Sequence, residues 1–216
     1  MKFILTLYLT LPQTIFCIIT PIVVIIGIVL AIYIPVSRKE RKTKYREYTY
    51  KQLYKIAMNQ DYYLINNFIF RSDSVVFKID HLLFADKFIY VINDCCFTGD
   101  ITGKQEDSSI ILVPKNGPKV YEDNPIVANK KTLSKLSLIT GIDAGLMIGL
   151  VVVNDDCHIG IESKSKQFYF IQANRLKILV KAIENRNVGK INAEQLANAV
   201  KGVAKLNRRK KMYEQK

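Results

Sequence analysis

The chain predicts an α/β (α+β) fold, a mixed sheet flanked by helices, carried behind one transmembrane helix. Three observations point there. Residues 3–37 contain no charged side chain, and the run stops at Ser37-Arg38-Lys39-Glu40-Arg41-Lys42. Beyond it, β-prone apolar runs and amphipathic stretches follow in the order helix, several strands, helix, strands, two helices. Residues 38–216 are long enough for one domain with a full hydrophobic core.

The first element is the anchor. A helix needs roughly 20 apolar residues to cross a hydrocarbon core, and residues 13–36 supply them. A cleavable signal peptide is the alternative, but its apolar region would be about 7–15 residues closed by a small-residue cleavage site. No Ala-x-Ala pattern closes this run. Pro12 and Pro21 leave the start of the helix open. Only Lys2 precedes the span, against six basic residues from Arg38 to Arg46. Lys and Arg are retained on the cytoplasmic side. The expected location is therefore the cell membrane, single-pass, with the soluble domain cytoplasmic. The expected division is an anchor at 1–37, a basic linker at 38–46, a domain at 47–206 and a basic tail at 207–216.

Within the soluble part, residues 45–59 read as a helix with Tyr50, Leu53, Tyr54 and Ala57 on one buried stripe. Strands follow at 68–70, 75–84 and 88–94, the last apolar enough to be buried on both faces. Thr98-Gly99-Asp100 and Thr102-Gly103 punctuate a hairpin region, and 109–113 is a further strand. Asn124-Pro125 opens a helix over 125–140, because proline suits a first helical turn, and Gly141 stops it. Two apolar runs, 146–153 and 167–172, read as strands. Asn174 is placed to cap a helix over 175–185. Asn192 with Gln195 forms a capping-box pattern for a last helix, whose Leu196, Val200, Val203 and Leu206 share one stripe.

The net charge of +13 is concentrated at the two ends. Residues 38–55 hold eight basic and two acidic side chains, residues 201–216 seven and one, and residues 56–200 sum to zero. Charge beside a membrane and in a tail favours anionic lipid as a partner, at about 1 kcal/mol per juxtamembrane residue. Nucleic acid remains a second candidate for the same basic residues: Arg38, Lys39, Arg41, Lys42, Arg208, Arg209, Lys210 and Lys211. The four cysteines (Cys17, Cys95, Cys96, Cys157) make no disulfide framework, since adjacent residues cannot readily bridge each other. His81 and His158 lack zinc-ligand spacing.

One ordered set of pieces carries a resemblance. Ile79-Asp80-His81, the strand 88–92, Gly99 with Gly103, Asn124-Pro125 and the closing Ile191-Asn192-x-Glu194-Gln195-Leu196 resemble the nuclease-related domain (NERD) family over about residues 43–206. The resemblance implies a restriction-endonuclease-like fold. It also implies a site made of a helix glutamate, a strand-end aspartate and a Glu-x-Lys on the next strand. Two carboxylates would converge on Mg²⁺, and the lysine would stabilise charge developing on the phosphate.

By position, Glu47 matches the helix glutamate and Asp80 the strand aspartate, while Glu-x-Lys falls on Asn93-Asp94-Cys95. Asparagine is a poorer Mg²⁺ ligand than a carboxylate, and a thiol cannot replace an ammonium. Asp94 stands one residue off register, on the opposite face of a regular strand unless a bulge returns it. Ala128 and Asn129 stand where the family usually has a glutamine.

Each of these residues also has a structural reading. Glu47 can pair with Lys51 at i+4, Asn93 and Asp94 can start a turn, and the Cys95-Cys96 pair can simply pack. The expectation is thus a membrane-anchored NERD-like protein with catalytic residues Asp80, Glu47 and Asn93 surviving as vestiges. It would bind nucleic acid or a protein partner and need no cofactor. The alternatives are an active nuclease, with Mg²⁺ held by Asp80 and Asp94, or a membrane-tethered scaffold.

Overall fold

The computed structural model describes residues 11–71, 75–115, 117–162 and 165–213. The chain divides into two compact units after Lys44. Helix α1 (Leu11–Gln60) belongs in part to each. Its N-terminal part is the one helix among the described residues long and apolar enough to cross a membrane. The segment expected as a linker, 38–46, is helical throughout. Lys, Arg and Glu lose little rotamer freedom in a helix, so the change from apolar to charged residues does not end it.

The second unit contains two mixed sheets. The larger is ordered β1-β2-β3-β7-β9, from β1 (Tyr63–Arg71), β2 (Val76–Phe84), β3 (Ile89–Asp94), β7 (Met147–Val153) and β9 (Phe168–Gln172). Strands β1, β2 and β3 run antiparallel, whereas β3, β7 and β9 are parallel. β7 is buried at every position, which its unbroken apolar run, flanked by two parallel neighbours, requires. The smaller sheet is ordered β6-β5-β4-β8, from β4 (Asp100–Lys104), β5 (Ser109–Val113), β6 (Val120–Asp123) and β8 (His158–Glu162).

Two core layers lie on opposite faces of the larger sheet. One gathers Leu82, Phe84, Val91 and Val151 with Ile126, Leu133 and Leu136 of α2 (Pro125–Thr140) and Val203 of α4 (Ala193–Tyr213). The other gathers Leu83, Tyr90, Ile92 and Leu150 with Leu53, Ile56 and Ala57 of α1 and Leu176, Val180 and Ile183 of α3 (Leu176–Glu184). The expected stripe on α1 is corrected here. Leu53 and Ala57 are buried with Ile56, but Tyr50 and Tyr54 stand exposed, their rings in a tilted contact with centroids 5.9 Å apart. Tyrosine rings can stand in water, whereas Ile56 gains more by burial.

The caps explain where helices begin and end. Asn124 Oδ1 accepts the Ile126 N–H at 3.0 Å, Pro125 follows it, and Gly141 closes α2 in the left-handed region. Asn192 Oδ1 accepts the Glu194 N–H at 2.8 Å. Asn174 does not cap α3. It sits inside a 3₁₀ turn (Ala173–Arg175), with its own N–H donated to Asp155 Oδ1 at 2.8 Å.

Candidate active site

The site begins as a defect in the β1–β2 ladder. Asn66 pairs with His81 and Phe68 with Ile79 in unbroken register, yet Asn67 between them has φ +51°. Opposite it on β2, Ile79 and Leu82 face the same core layer although three positions apart, where a regular strand alternates every second residue. The two residues between them, Asp80 and His81, turn together toward the α1 side. Asn tolerates this backbone region better than most residues. The Asn66-Asn67 pair is the sequence signal for it.

Asp94 closes the arrangement from β3. Its N–H donates to Asp80 Oδ2 at 3.1 Å. Its own Oδ2 lies 3.0 Å from His81 Nε2, while His81 Nδ1 lies 2.7 Å from Asn66 Oδ1. Each ring nitrogen of His81 therefore has one side-chain partner, Asn66 on one side and Asp94 on the other. Side chains His81 and Asp94 are 5% and 1% exposed, a buried pair. Burial pushes the Asp94 carboxyl above its ordinary value, His81 opposes this, and the neighbouring Asp80 carboxylate adds to it. The remaining Asp94 Oδ1 is buried with no hydrogen-bond donor among the described residues.

Two cations converge on the other Asp80 oxygen. Arg46 Nη2 from α1 and Lys78 Nζ from β2 each lie 3.1 Å from Asp80 Oδ1. Both are about half exposed, while the carboxylate is buried. Glu47 is not part of this cluster: it points to solvent and pairs with Lys51 Nζ at 2.8 Å, which holds its carboxyl below the ordinary value. Successive helix positions are about 100° apart, so the helix face presented to Asp80 carries Arg46.

Asn93 points to the opposite layer. Its Oδ1 accepts Asn129 Nδ2 at 3.1 Å, and the same amide reaches the carbonyls of Val91 (3.1 Å) and Leu150 (3.3 Å). Asn129 is fully buried and pins α2 to β3 and β7. Cys95 donates its backbone N–H to Val152 O at 2.8 Å, and burial pushes its thiol up to about 12. The structure therefore brings together Asp80 and Asp94, and separates Glu47 and Asn93 from both. Arg46, Lys78 and Asn66 complete the cluster without having been singled out, together with His81, which the sequence placed beside Asp80 but gave no role in the site. Lys78 two residues before Asp80 on one strand was the available signal. The side chains of Arg38, Arg208, Arg209, Lys210 and Lys211 lie outside the described residues, and those of Lys39, Arg41 and Lys42 are exposed.

Three of the four carboxylate oxygens of Asp80 and Asp94 already have partners within the protein. Mg²⁺ takes near-octahedral oxygen ligands, but Asp80 Oδ1 already meets two cations and Asp94 Oδ2 meets His81. Among the described residues no group of three or more His, Cys, Asp or Glu side chains is arranged to hold a metal.

The ordered strand–helix pieces have a counterpart among known families. The family model described as "Nuclease-related domain" (NERD) matches residues 42–154, just over half the chain and all of the cluster around Asp80. Neither the curated proteins nor the solved structures yield a match. On the family match, the chain belongs to the nuclease-related domain family.

Proposed function

We propose that this chain is a membrane-tethered NERD-domain protein that binds nucleic acid at the cytoplasmic face of the cell membrane and does not cut it. One observation carries the reading: the Asp80 carboxylate is neutralised by Arg46 and Lys78 rather than left open for a cation. A nuclease needs its carboxylates to gather positive charge beside the scissile phosphate. Here the protein's own guanidinium and ammonium occupy that role. The stabilising lysine is absent from the Glu-x-Lys position, where Cys95 stands as a protonated thiol. Removing one charge-stabilising group of this kind costs a factor of about 10²–10³ in rate. Binding needs none of this machinery. The half-exposed Arg46 and Lys78 offer two phosphate contacts, and the exposed Lys39, Arg41 and Lys42 are available to anionic lipid.

The test uses the full chain in phosphatidylcholine nanodiscs with labelled DNA and Mg²⁺ or Mn²⁺. The expected result is binding that weakens steeply with salt and no cleavage. Cleavage abolished by Asp80→Ala would restore the active-nuclease reading, with Asp80 and Asp94 as ligands. Absence of DNA affinity at low salt, with retained binding to anionic vesicles, would leave a membrane scaffold.

A further inference from the structure

At the end of β3 opposite Asp94, the β2–β3 turn, the end of α1 and the side of α3 enclose a cleft of about 550 Å³. Its walls carry four ammonium groups, Lys87, Lys177, Lys181 and Lys190, and two carboxylates, Asp86 and Glu184. Both carboxylates are already occupied. Asp86 Oδ2 meets Lys190 Nζ at 2.7 Å. Glu184 accepts the Tyr90 hydroxyl at 2.7 Å and the Lys87 N–H at 2.9 Å. Lys87 Nζ donates to the Arg186 carbonyl at 2.6 Å. Lys177 and Lys181, one helical turn apart on α3, have no carboxylate partner among the described residues and leave the walls with a net charge of two positive. Burial raises the Glu184 carboxyl above its ordinary value, while the hydrogen bonds from Tyr90 and Lys87 oppose the rise.

The remaining lining is suited to a small molecule. Ile56 and Val180 form an apolar floor, and Tyr62 presents a ring beside it. A volume in the few-hundred Å³ range with an apolar floor and a few convergent polar groups is the usual form of a ligand pocket. Two adjacent ammoniums match the charge of about −2 on a phosphate monoester, with three acceptor oxygens to share between them.

We propose that this cleft binds a phosphate monoester of nucleotide size, its phosphate between Lys177 and Lys181 and its apolar part on Tyr62, Ile56 and Val180. The proposal is independent of the reading given for Asp80. Such a group could be supplied by a soluble nucleotide or by a monoester lipid headgroup, and the experiment separates the two.

The experiment is lysine acylation read by mass spectrometry on the full chain in phosphatidylcholine nanodiscs. Saturating AMP slows modification of Lys177 and Lys181 by about tenfold, as expected for a site mostly filled, while adenosine does not. Lys135 on α2 serves as the control and is unaffected. Phosphatidic acid in the nanodisc protecting the same two lysines, with AMP failing to do so, upholds the chemistry and assigns the phosphate to lipid. No protection by either, or equal slowing at Lys135, overturns the proposal. AMP is also expected to slow modification of Lys190, which lines the same cleft, in the parent chain but not in the Lys177→Gln/Lys181→Gln variant; persistent protection there in the variant also overturns the proposal.

Discussion

Asp80 shows how one residue's neighbours decide its chemistry. Its type and strand position are legible in the sequence, but its partners are not. Arg46 and Glu47 are adjacent in the chain and about 100° apart on the helix, so a one-residue difference in helix phase decides whether a cation or an anion faces the carboxylate. Since Asp80 is 8% exposed while Arg46 and Lys78 are half exposed, Asp80→Asn removes a partly solvated pair. A cost of about 1–3 kcal/mol in urea unfolding is expected, below the full value for a buried ion pair. A variant as stable as the parent would show that the two cations do not depend on it. Cys95 gives a second expectation with a definite sign. Burial lifts its thiol to about 12, so at pH 8 the group is protonated and weakly nucleophilic. Alkylation at Cys95, followed by mass spectrometry, should be slow in the native chain and become fast in urea. Equal rates in both states would remove Cys95 from its partly buried place against the core.

The elements follow the sequence where one residue type has only one comfortable place. Asn124 is such a case: Oδ1 caps α2, while Nδ2 reaches the carbonyls of Lys104, Gln105 and Asp107 at 3.3, 3.3 and 2.8 Å. Asn124→Ala loses the cap and strands several buried carbonyls, so a loss of about 2–3 kcal/mol is expected by thermal or urea unfolding. A change below half a kcal/mol would refute that role. Gly149 is fixed by proximity instead of conformation. A Cβ there would overlap the Phe168 ring and the Asn129 amide oxygen, the same Asn129 that joins α2 to β3 and β7. Gly149→Ala should therefore cost about 1–3 kcal/mol, the usual range for overpacking. Strands β6 and β8 escaped the sequence reading for a shared reason. Every β6 residue is exposed, and β8 alternates only between exposed and half-buried, with Gly160 at its centre. β6 has no hydrophobic period of its own, and β8 has only the two apolar positions Ile159 and Ile161, too short a run to stand out. Each exists because β5 or β4 offers a ladder to pair with, and a neighbour's hydrogen-bonding edge leaves little trace in local composition.

At the scale of the whole molecule, the apolar and charged residues are distributed for an interface. From Ile19 to Val36 the large apolar side chains stand 43–67% exposed, without burial in either core layer, and the charged stretch beginning at Arg38 follows directly. Water around so many aliphatic groups is unfavourable by about 25 cal/mol per Å², and roughly 20 such residues match the thickness of a bilayer core. Lys and Arg are retained on the cytoplasmic side, so the proposed orientation places the part beyond Lys44 in the cytoplasm. In membranes prepared from cells expressing the full chain, the protein is expected to resist extraction by alkaline carbonate. Protease added to inside-out vesicles should digest the part beyond Lys44, and right-side-out vesicles should protect it. Release by carbonate would remove the anchor. Digestion in the right-side-out preparation alone would reverse the orientation and, with it, the access to intracellular nucleic acid on which the binding proposal depends.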